Sequence, residues 1–335
     1  MTSQHARSTP LQLRRAPLDN LGRLVRLMRA AFGSAPGPDY FDWKYAQNPY
    51  GQMVGFEALD GSTPVAFYCV IPQVFSIGGD PVGVFQSVDT MTDPGYRGRG
   101  LFVQLATLTY DEVSRIDPGS TLIGIAGESS LPGFVRRLGW RHIHDIRLYF
   151  AERRLVSLRL LASRRRQIRA APASEVAQLA GYLEHRRQVN KQIGLYLSPE
   201  FLGWRVLRHP EIDYHVVVLR DREEVQGFCI YSLDSKRRCL LSLVDLPEER
   251  LDHHHLGELL RFVFQQTGAR LAYTWEPSSI PLRRAYRRLG FLSNRLSRGP
   301  GSERQPFIVR GSEDFRHGLD WSNPHNLDLQ PLIKD

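Results

Sequence analysis

Apolar residues recur every three to four positions between residues 21 and 32, at Leu21, Leu24, Val25, Met28 and Phe32. Asp19 or Asn20 stands ahead of them and Gly33 behind. That spacing predicts an amphipathic helix with a polar cap and a glycine stop. From residue 53 to 91 the pattern changes to short apolar runs cut by turn residues. VGFEAL and PVAFYCVI flank Asp60-Gly61, and QVFSI and VGVFQSVDTM flank Gly78-Gly79-Asp80, which predicts two hairpins. The stretch DPGYRGRGLF (93–102) then leads into the helical pattern LFVQLATLTYDEV. TLIGIAG reads as a short buried strand, LPGFVRRLG as a short helix between Pro132 and Gly139, and WRHIHDIRLYF as one closing strand.

The second half repeats the first. WKYAQNP (43–49) matches WRVLRHP (204–210) with an offset of 204 − 43 = 161, VDT (88–90) matches VDL (244–246) with 244 − 88 = 156, and RRLGW (136–140) matches RRLGF (287–291) with 287 − 136 = 151. Three markers in one order with a smooth drift in offset indicate a duplicated domain. The expected organisation is a first domain over 11–150, a basic connector over 151–173, a second domain over 174–310 and a carboxy-terminal tail over 311–335. The connector, rich in arginine, reads as a solvated amphipathic helix rather than an arm for nucleic acid or membrane. The copies differ at one place. Where the first has DPGYRGRGLF, the second has VDLPEERLDHHHLGELL, with Glu248 and Glu249 in place of the glycines.

Composition narrows the partners. The 335 residues are 42% hydrophobic and carry a formal net charge of +9, a globular chain that favours anions. Cys69, Cys229 and Cys239 lack metal-ligand spacing and read as reduced thiols. The amino terminus, MTSQHARSTP, has no apolar core, and no apolar run nears the ~18 residues that cross a bilayer. A cytoplasmic protein with no metal site and no membrane span is expected.

The charge finds a use in the quoted loop. A strand that turns through glycines into a helix leaves the first helical N–H groups free, at the positive end of the helix dipole. Arg97 and Arg99 add charged donors, and Gly98 and Gly100 keep side chains out of the way. The loop is neither a Walker loop nor a dinucleotide fingerprint, because no Gly-Lys-Ser/Thr and no third glycine follow.

Tyr96-Arg97-Gly98-Arg99-Gly100-Leu101-Phe102 and Phe134-Val135-Arg136-Arg137-Leu138-Gly139-Trp140, in this order of elements, resemble the GNAT superfamily of acyl-CoA-dependent N-acyltransferases. The resemblance covers residues 11 to 150, with a fainter echo over 174 to 310. It implies an α/β (α+β) fold of two tandem GNAT-like domains, each a mixed, mostly antiparallel sheet flanked by helices. It implies acetyl-CoA or another acyl-CoA as co-substrate, with the backbone from Arg97 through Gly98, Arg99, Gly100 and Leu101 to Phe102 holding the pyrophosphate. Thr90, Met91 and Thr92 would pair with the pantetheine arm. Phe102 stands where the family has Gly or Ala, and Val135 where many members have a tyrosine acid. The second copy has Tyr286 at that position but no phosphate loop.

Amine acylation needs a proton acceptor and a polarised thioester carbonyl. Glu128, after the TLIGIAG strand, is the first candidate base, and Asp89, at the strand end, the second. Glu128 would otherwise cap the next helix, and Asp89 would otherwise make a strand-end hydrogen bond. His142 and His144 share a solvated strand face, and Trp43 and Trp204 read as core. The expected acceptor is a small-molecule amine; by family analogy an amino sugar, nucleotide-linked for a surface polysaccharide, fits. A nucleic-acid partner is not expected. Two alternatives stand beside this reading: a Fem-like peptidyltransferase using aminoacyl-tRNA, and a non-catalytic protein that binds CoA or a polyanion.

Overall fold

The structure, a computed structural model, describes residues 10–161, 168–172, 176–189, 192–246, 253–277, 279–293, 305–311 and 320–334. The acidic substitute loop with Glu248 and Glu249 lies outside the described residues.

The first half runs β1 (Gln12–Arg15), α1 (Leu24–Phe32), α2 (Pro38–Tyr45), β2 (Val54–Asp60), β3 (Thr63–Ile77), β4 (Asp80–Thr92), α3 (Leu101–Ile116), β5 (Thr121–Ile125), α4 (Leu131–Arg137), β6 (Arg141–Ile146) and β7 (Leu148–Glu152). The second runs α5 (Arg153–Leu161), β8 (Ile168–Pro172), α6 (Ala180–Val189), β9 (Ile193–Leu195), α7 (Pro199–Leu202), one π-helical turn (Gly203–Leu207), β10 (His215–Asp221), β11 (Glu224–Leu233), β12 (Cys239–Asp245), α8 (His253–Thr267), β13 (Leu271–Trp275), α9 (Ile280–Arg288), β14 (Leu292–Ser293), β15 (Gln305–Arg310) and β16 (Leu327–Asp328). Among the described residues no helix is long and apolar enough to cross a membrane.

Both hairpins form where the turn residues place them, with β2 facing β3 across Gly61 and β3 facing β4 across Gly78-Gly79. The first helix differs from its reading at the start. Leu21–Arg23 is a 3-10 turn, and Asn20 sits in the left-handed region at φ 50° with no side-chain cap. Arg23 instead donates to the carbonyls of Asp19 and Asn20. Gly33 ends α1 at φ 85°, as its position suggests.

The two sheets have one order and trade one strand. The first reads β1-β2-β3-β4-β5-β15-β6, and the second, from its other edge, β8-β10-β11-β12-β13-β7-β14. In each the sixth place is filled by the other half: β15 lies antiparallel between β5 and β6, and β7 antiparallel between β13 and β14. WRHIHDIRLYF is therefore two strands, broken at Arg147, in two sheets. The stretch read as connector holds α5 and the edge strand β8, which pairs with β10. Val156 and Leu160 of α5 are buried, and Leu160 reaches Gly257 of α8. All pairings within these two paths are antiparallel except two. β4 runs parallel to β5, and β12 parallel to β13.

One pair of repeat markers meets at the seam between the halves. Trp43 and Trp204 stack with centroids 4.6 Å apart, and each indole N–H donates to the other's carbonyl at 3.0 and 2.9 Å. A buried Trp needs a partner for its N–H, and here the duplicated residue supplies it. The carboxy-terminal segment crosses the same seam. β16 pairs with β9, which pairs with the end of β3. Buried Arg205 donates to the carbonyls of Leu332 and Lys334, and buried Gln86 to that of Ile333.

Candidate active site

β4 and β5 are parallel only as far as Ser87 opposite Gly124. Past that point β4 continues to Thr92 while β5 ends, so the sheet opens as a fork. The two-against-three register between Phe67–Cys69 and Val88–Met91 marks a β-bulge on β4, and Asp89 within it has φ 45°. Bulges re-aim side chains at strand ends. The fork holds a cavity of about 530 Å³. Its walls include Ser87, Asp89 and Thr90 of β4, Gly124 to Ser130 after β5, and Phe134 of α4, with Phe32 and Lys44 from the helical side. Gln305 and Ile308 of the exchanged strand and Lys334 of the carboxy-terminal segment complete it.

Asp89 is tied to α2. Lys44 Nζ donates to its Oδ2 at 2.6 Å and the Tyr45 hydroxyl to the same oxygen at 2.7 Å. Lys44 is 1% exposed, so its charge is removed from water and compensated by this carboxylate and by Tyr40 Oη at 3.1 Å. Burial, then the Asp89 charge, pushes the Tyr45 hydroxyl well above the usual tyrosine range, so it stays a donor. Both bonds fall on one oxygen of Asp89; its other oxygen accepts no bond from the described residues. The second half repeats the device with other residues: Asp245 accepts from Arg186 Nε at 2.7 Å and from Tyr182 at 2.8 Å.

Glu128 is exposed on the loop between β5 and α4. The cap predicted there is not its own: Ser130 is the N-cap residue of α4, its side chain donates to Gly127 O, and it makes no side-chain cap bond. Thr90 lines the cavity, Thr92 is half-buried, and Met91 turns away into the core beside Met28 and Leu27.

The glycine loop follows on the same strand but is not a wall of this cavity. Pro94–Tyr96 forms a 3-10 turn closed by Asp93, whose carboxylate accepts Gly95 N–H at 2.9 Å. Gly98 and Gly100 then take φ 78° and 74°. Side chains rarely adopt that region, so the glycines are required by backbone conformation. Leu101 starts α3 with no side-chain cap on its free N–H groups. Arg97 and Arg99 are exposed. Arg99 stacks on Tyr96 with its guanidinium carbon 4.8 Å from the ring centre, and Tyr96 is anchored to Asp60. Phe102 does not crowd the loop. It packs edge to face on Phe134, centroids 4.9 Å apart, and so fixes α3 against α4.

Several wall residues carried no functional signal in the sequence. Lys44 was visible only as the base in a repeat marker. Phe32 fits the helical period yet is 57% exposed, because it lines the cavity rather than the core. Gln305, Ile308 and Lys334 come from the far end of the chain. Val135 is exposed and offers no hydroxyl, and Tyr286 is buried against Phe291 in the other half. His142 pairs with Asp145 at 3.0 Å, and neither it nor His144 lines the cavity.

In the second half the corresponding fork is occupied by the chain itself. β12 and β13 pair only at Cys239–Leu240. Farther along β12, Val244 N–H, which matches Val88 by the 156-residue offset, donates to Gln330 Oε1 at 2.7 Å. Leu332 packs in the cluster that holds Leu243.

A sequence model of the acetyltransferase (GNAT) domain matches residues 12–143. No curated relative matches the sequence. Solved structures share the fold across both halves. A GCN5-related N-acetyltransferase from Kribbella flavida is 17% identical, covering 91% of this chain and 71% of that one, with a TM-score of 0.64. A tandem GNAT protein from the clavulanic acid biosynthesis pathway is 13% identical, covering 90% and 98%, with a TM-score of 0.62. An N-myristoyltransferase from Saccharomyces cerevisiae, solved with bound myristoyl-CoA and inhibitors, is 12% identical, covering 91% and 82%, also with a TM-score of 0.62. Residues 12–143 match the GNAT domain model, and the two halves together share the fold of the tandem GNAT structure.

Proposed function

We propose that the protein is an acyl-CoA-dependent N-acyltransferase whose first half binds the donor and carries out the transfer. The observation that supports this most is one continuous piece of chain. β4 leaves its parallel partner at Ser87, passes the cavity, and turns through Gly98 and Gly100 into the uncapped start of α3. That order offers unpaired strand edge to an amide-bearing pantetheine arm and free helical N–H groups to a pyrophosphate. Arg97 and Arg99 add charge beside it.

The acceptor enters as an amine against a wall that carries two carboxylates. Asp89, held from behind by Lys44 and Tyr45, presents its unbonded oxygen to the substrate ammonium and orients it. Glu128, exposed on the loop side of the mouth, accepts a proton as the amine attacks the thioester carbon. The nitrogen–carbon bond forms, the carbon–sulfur bond breaks, CoA leaves as a thiolate, and the second proton of the ammonium passes to solvent or to that thiolate. A thiol of pKa near ~8.5 leaves without a strong acid, which fits Val135 at the position of the family's tyrosine. The second half has its fork filled by Gln330 and takes no donor of its own.

The test is thiol release from acetyl-CoA against a panel of amines that includes amino sugars, polyamines and amino acids. Turnover with one class, reduced at least ~100-fold in Glu128→Gln as expected for loss of a general base, supports the reading. Binding of acetyl-CoA without turnover on any amine leaves the non-catalytic alternative.

A further inference from the structure

The second half enters the donor site of the first through the exchanged strand. β15 lies against β5 with Ile308 opposite Gly124, at the last residue pair before the fork opens. Ile308 is fully buried and lines the cavity with Gly124 and Ser87. A Cβ built on Gly124 would stand 3.3 Å from Ile308 Cγ1 and 3.6 Å from Ser87 Cβ. The vertex is therefore closed on one side by Ile308 and on the other by Ser87. Ser87 is held in turn by the hydroxyl of Tyr68, which donates to its Oγ at 2.9 Å. The gap between them is the space of one missing side chain.

We infer that Ile308 sets the length of the acyl group this protein accepts, and that the group is short. This rests on the donor site proposed above. With the thioester at the β4 edge between Val88 and Thr90, the closed vertex is one to three residues away. At about 3.3 Å per strand residue the vertex is roughly 3–10 Å away, and less the ~4 Å of carbon–carbon contact with Ile308 it leaves room for at most about five acyl carbons. The terminal methyl sits over Gly124, against Ile308. Longer chains meet the isoleucine, which belongs to one buried cluster with Phe134, Leu105 and Trp140. The specificity of one half is in this way written on a strand of the other.

Calorimetric titration with CoA, acetyl-CoA, butyryl-CoA and octanoyl-CoA tests this without an acceptor. The wild type is expected to bind acetyl- and butyryl-CoA alike and octanoyl-CoA at least tenfold more weakly. Ile308→Ala should restore octanoyl-CoA relative to acetyl-CoA, by about fourfold for each methylene newly buried. Ile308→Val, which removes one carbon and is the safer fold, should move the ratio in the same direction by a smaller step. Gly124→Ala should weaken butyryl-CoA more than acetyl-CoA. Val309→Ala loses similar packing on the opposite face of β15 and should leave every ratio unchanged. Wild-type octanoyl-CoA binding as tight as acetyl-CoA, or ratios that stay fixed in folded Ile308→Ala and Ile308→Val, would overturn the inference and leave the donor site standing. No binding of CoA in any form overturns the donor site and the inference with it.

Discussion

The exchange of β7 and β15 makes a sharp prediction about separability. A fragment of residues 10–152 contains every strand of the first path except β15, and it also lacks β9 and β16, which extend the sheet at the end of β3. Without it, β5 and β6 lose the strand that joins them, because β15 pairs with both. Phe307, Ile308 and Val309 are 1%, 0% and 0% exposed in the whole chain. At about 1.5–3 kcal/mol for each fully buried side chain, their loss removes roughly 5–9 kcal/mol. That is comparable to the whole stability of an ordinary domain, about 5–15 kcal/mol. The fragment also carries β7, whose Tyr149 and Ala151 have no sheet to enter. It is expected to aggregate or to keep far-UV circular dichroism without near-UV signal or a cooperative urea transition. The intact chain should unfold in one transition that coincides by fluorescence and circular dichroism. A fragment that is monomeric, with near-UV signal and a cooperative melt, would refute the reasoning.

Lys44 and Asp89 should behave as a coupled pair. Lys44→Met is expected to cost about 1–3 kcal/mol, because it leaves a half-buried carboxylate without its cation. In a cycle with Asp89→Asn the two losses should fall short of adding by more than about 0.5 kcal/mol in urea unfolding; simple additivity would contradict the contact. Asp328 is half-buried near Asp245, and desolvation, then the Asp245 charge, raises its carboxyl from the usual 3.8 to about 6, against the opposing pull of Gln330 and Arg186. The folded chain then holds this proton longer than the unfolded one, so stability present below about pH 4 falls as pH rises towards 6, by about 3 kcal/mol for such a shift. Asp328→Asn should flatten that slope, and identical slopes in the two proteins would contradict it.

The local devices were legible in the sequence because local physics fixes them. Asp60-Gly61 and Gly78-Gly79 demand turns, and Gly98 and Gly100 sit where the backbone must go left-handed. The three repeated markers announced the duplication, and Trp43 and Trp204 proved to be partners as well as copies. The exchanged strands were not legible. RLYF and QPFIV have the same strand character in either sheet, no glycine or proline punctuates the chain at Arg147, and which edge a strand joins is decided by tertiary packing. The site was half visible for the same reason. Glu128, Asp89 and the loop follow from nearby sequence, whereas Ile308 and Lys334 reach the fork only through the exchange and the carboxy-terminal crossing. Lys44 was hidden by its neighbours, since a lysine between Trp43 and Tyr45 reads as an exposed position until Asp89 is seen beside it.

The central claim is that the glycine loop of the first half holds the donor. Titration of the intact protein with acetyl-CoA beside a variant carrying Arg97→Glu and Gly100→Glu, with an unchanged near-UV spectrum, tests it directly. The account predicts one site per chain in the wild type and a loss of affinity of more than tenfold in the variant. Equal binding by both proteins, or two sites per chain, would contradict it.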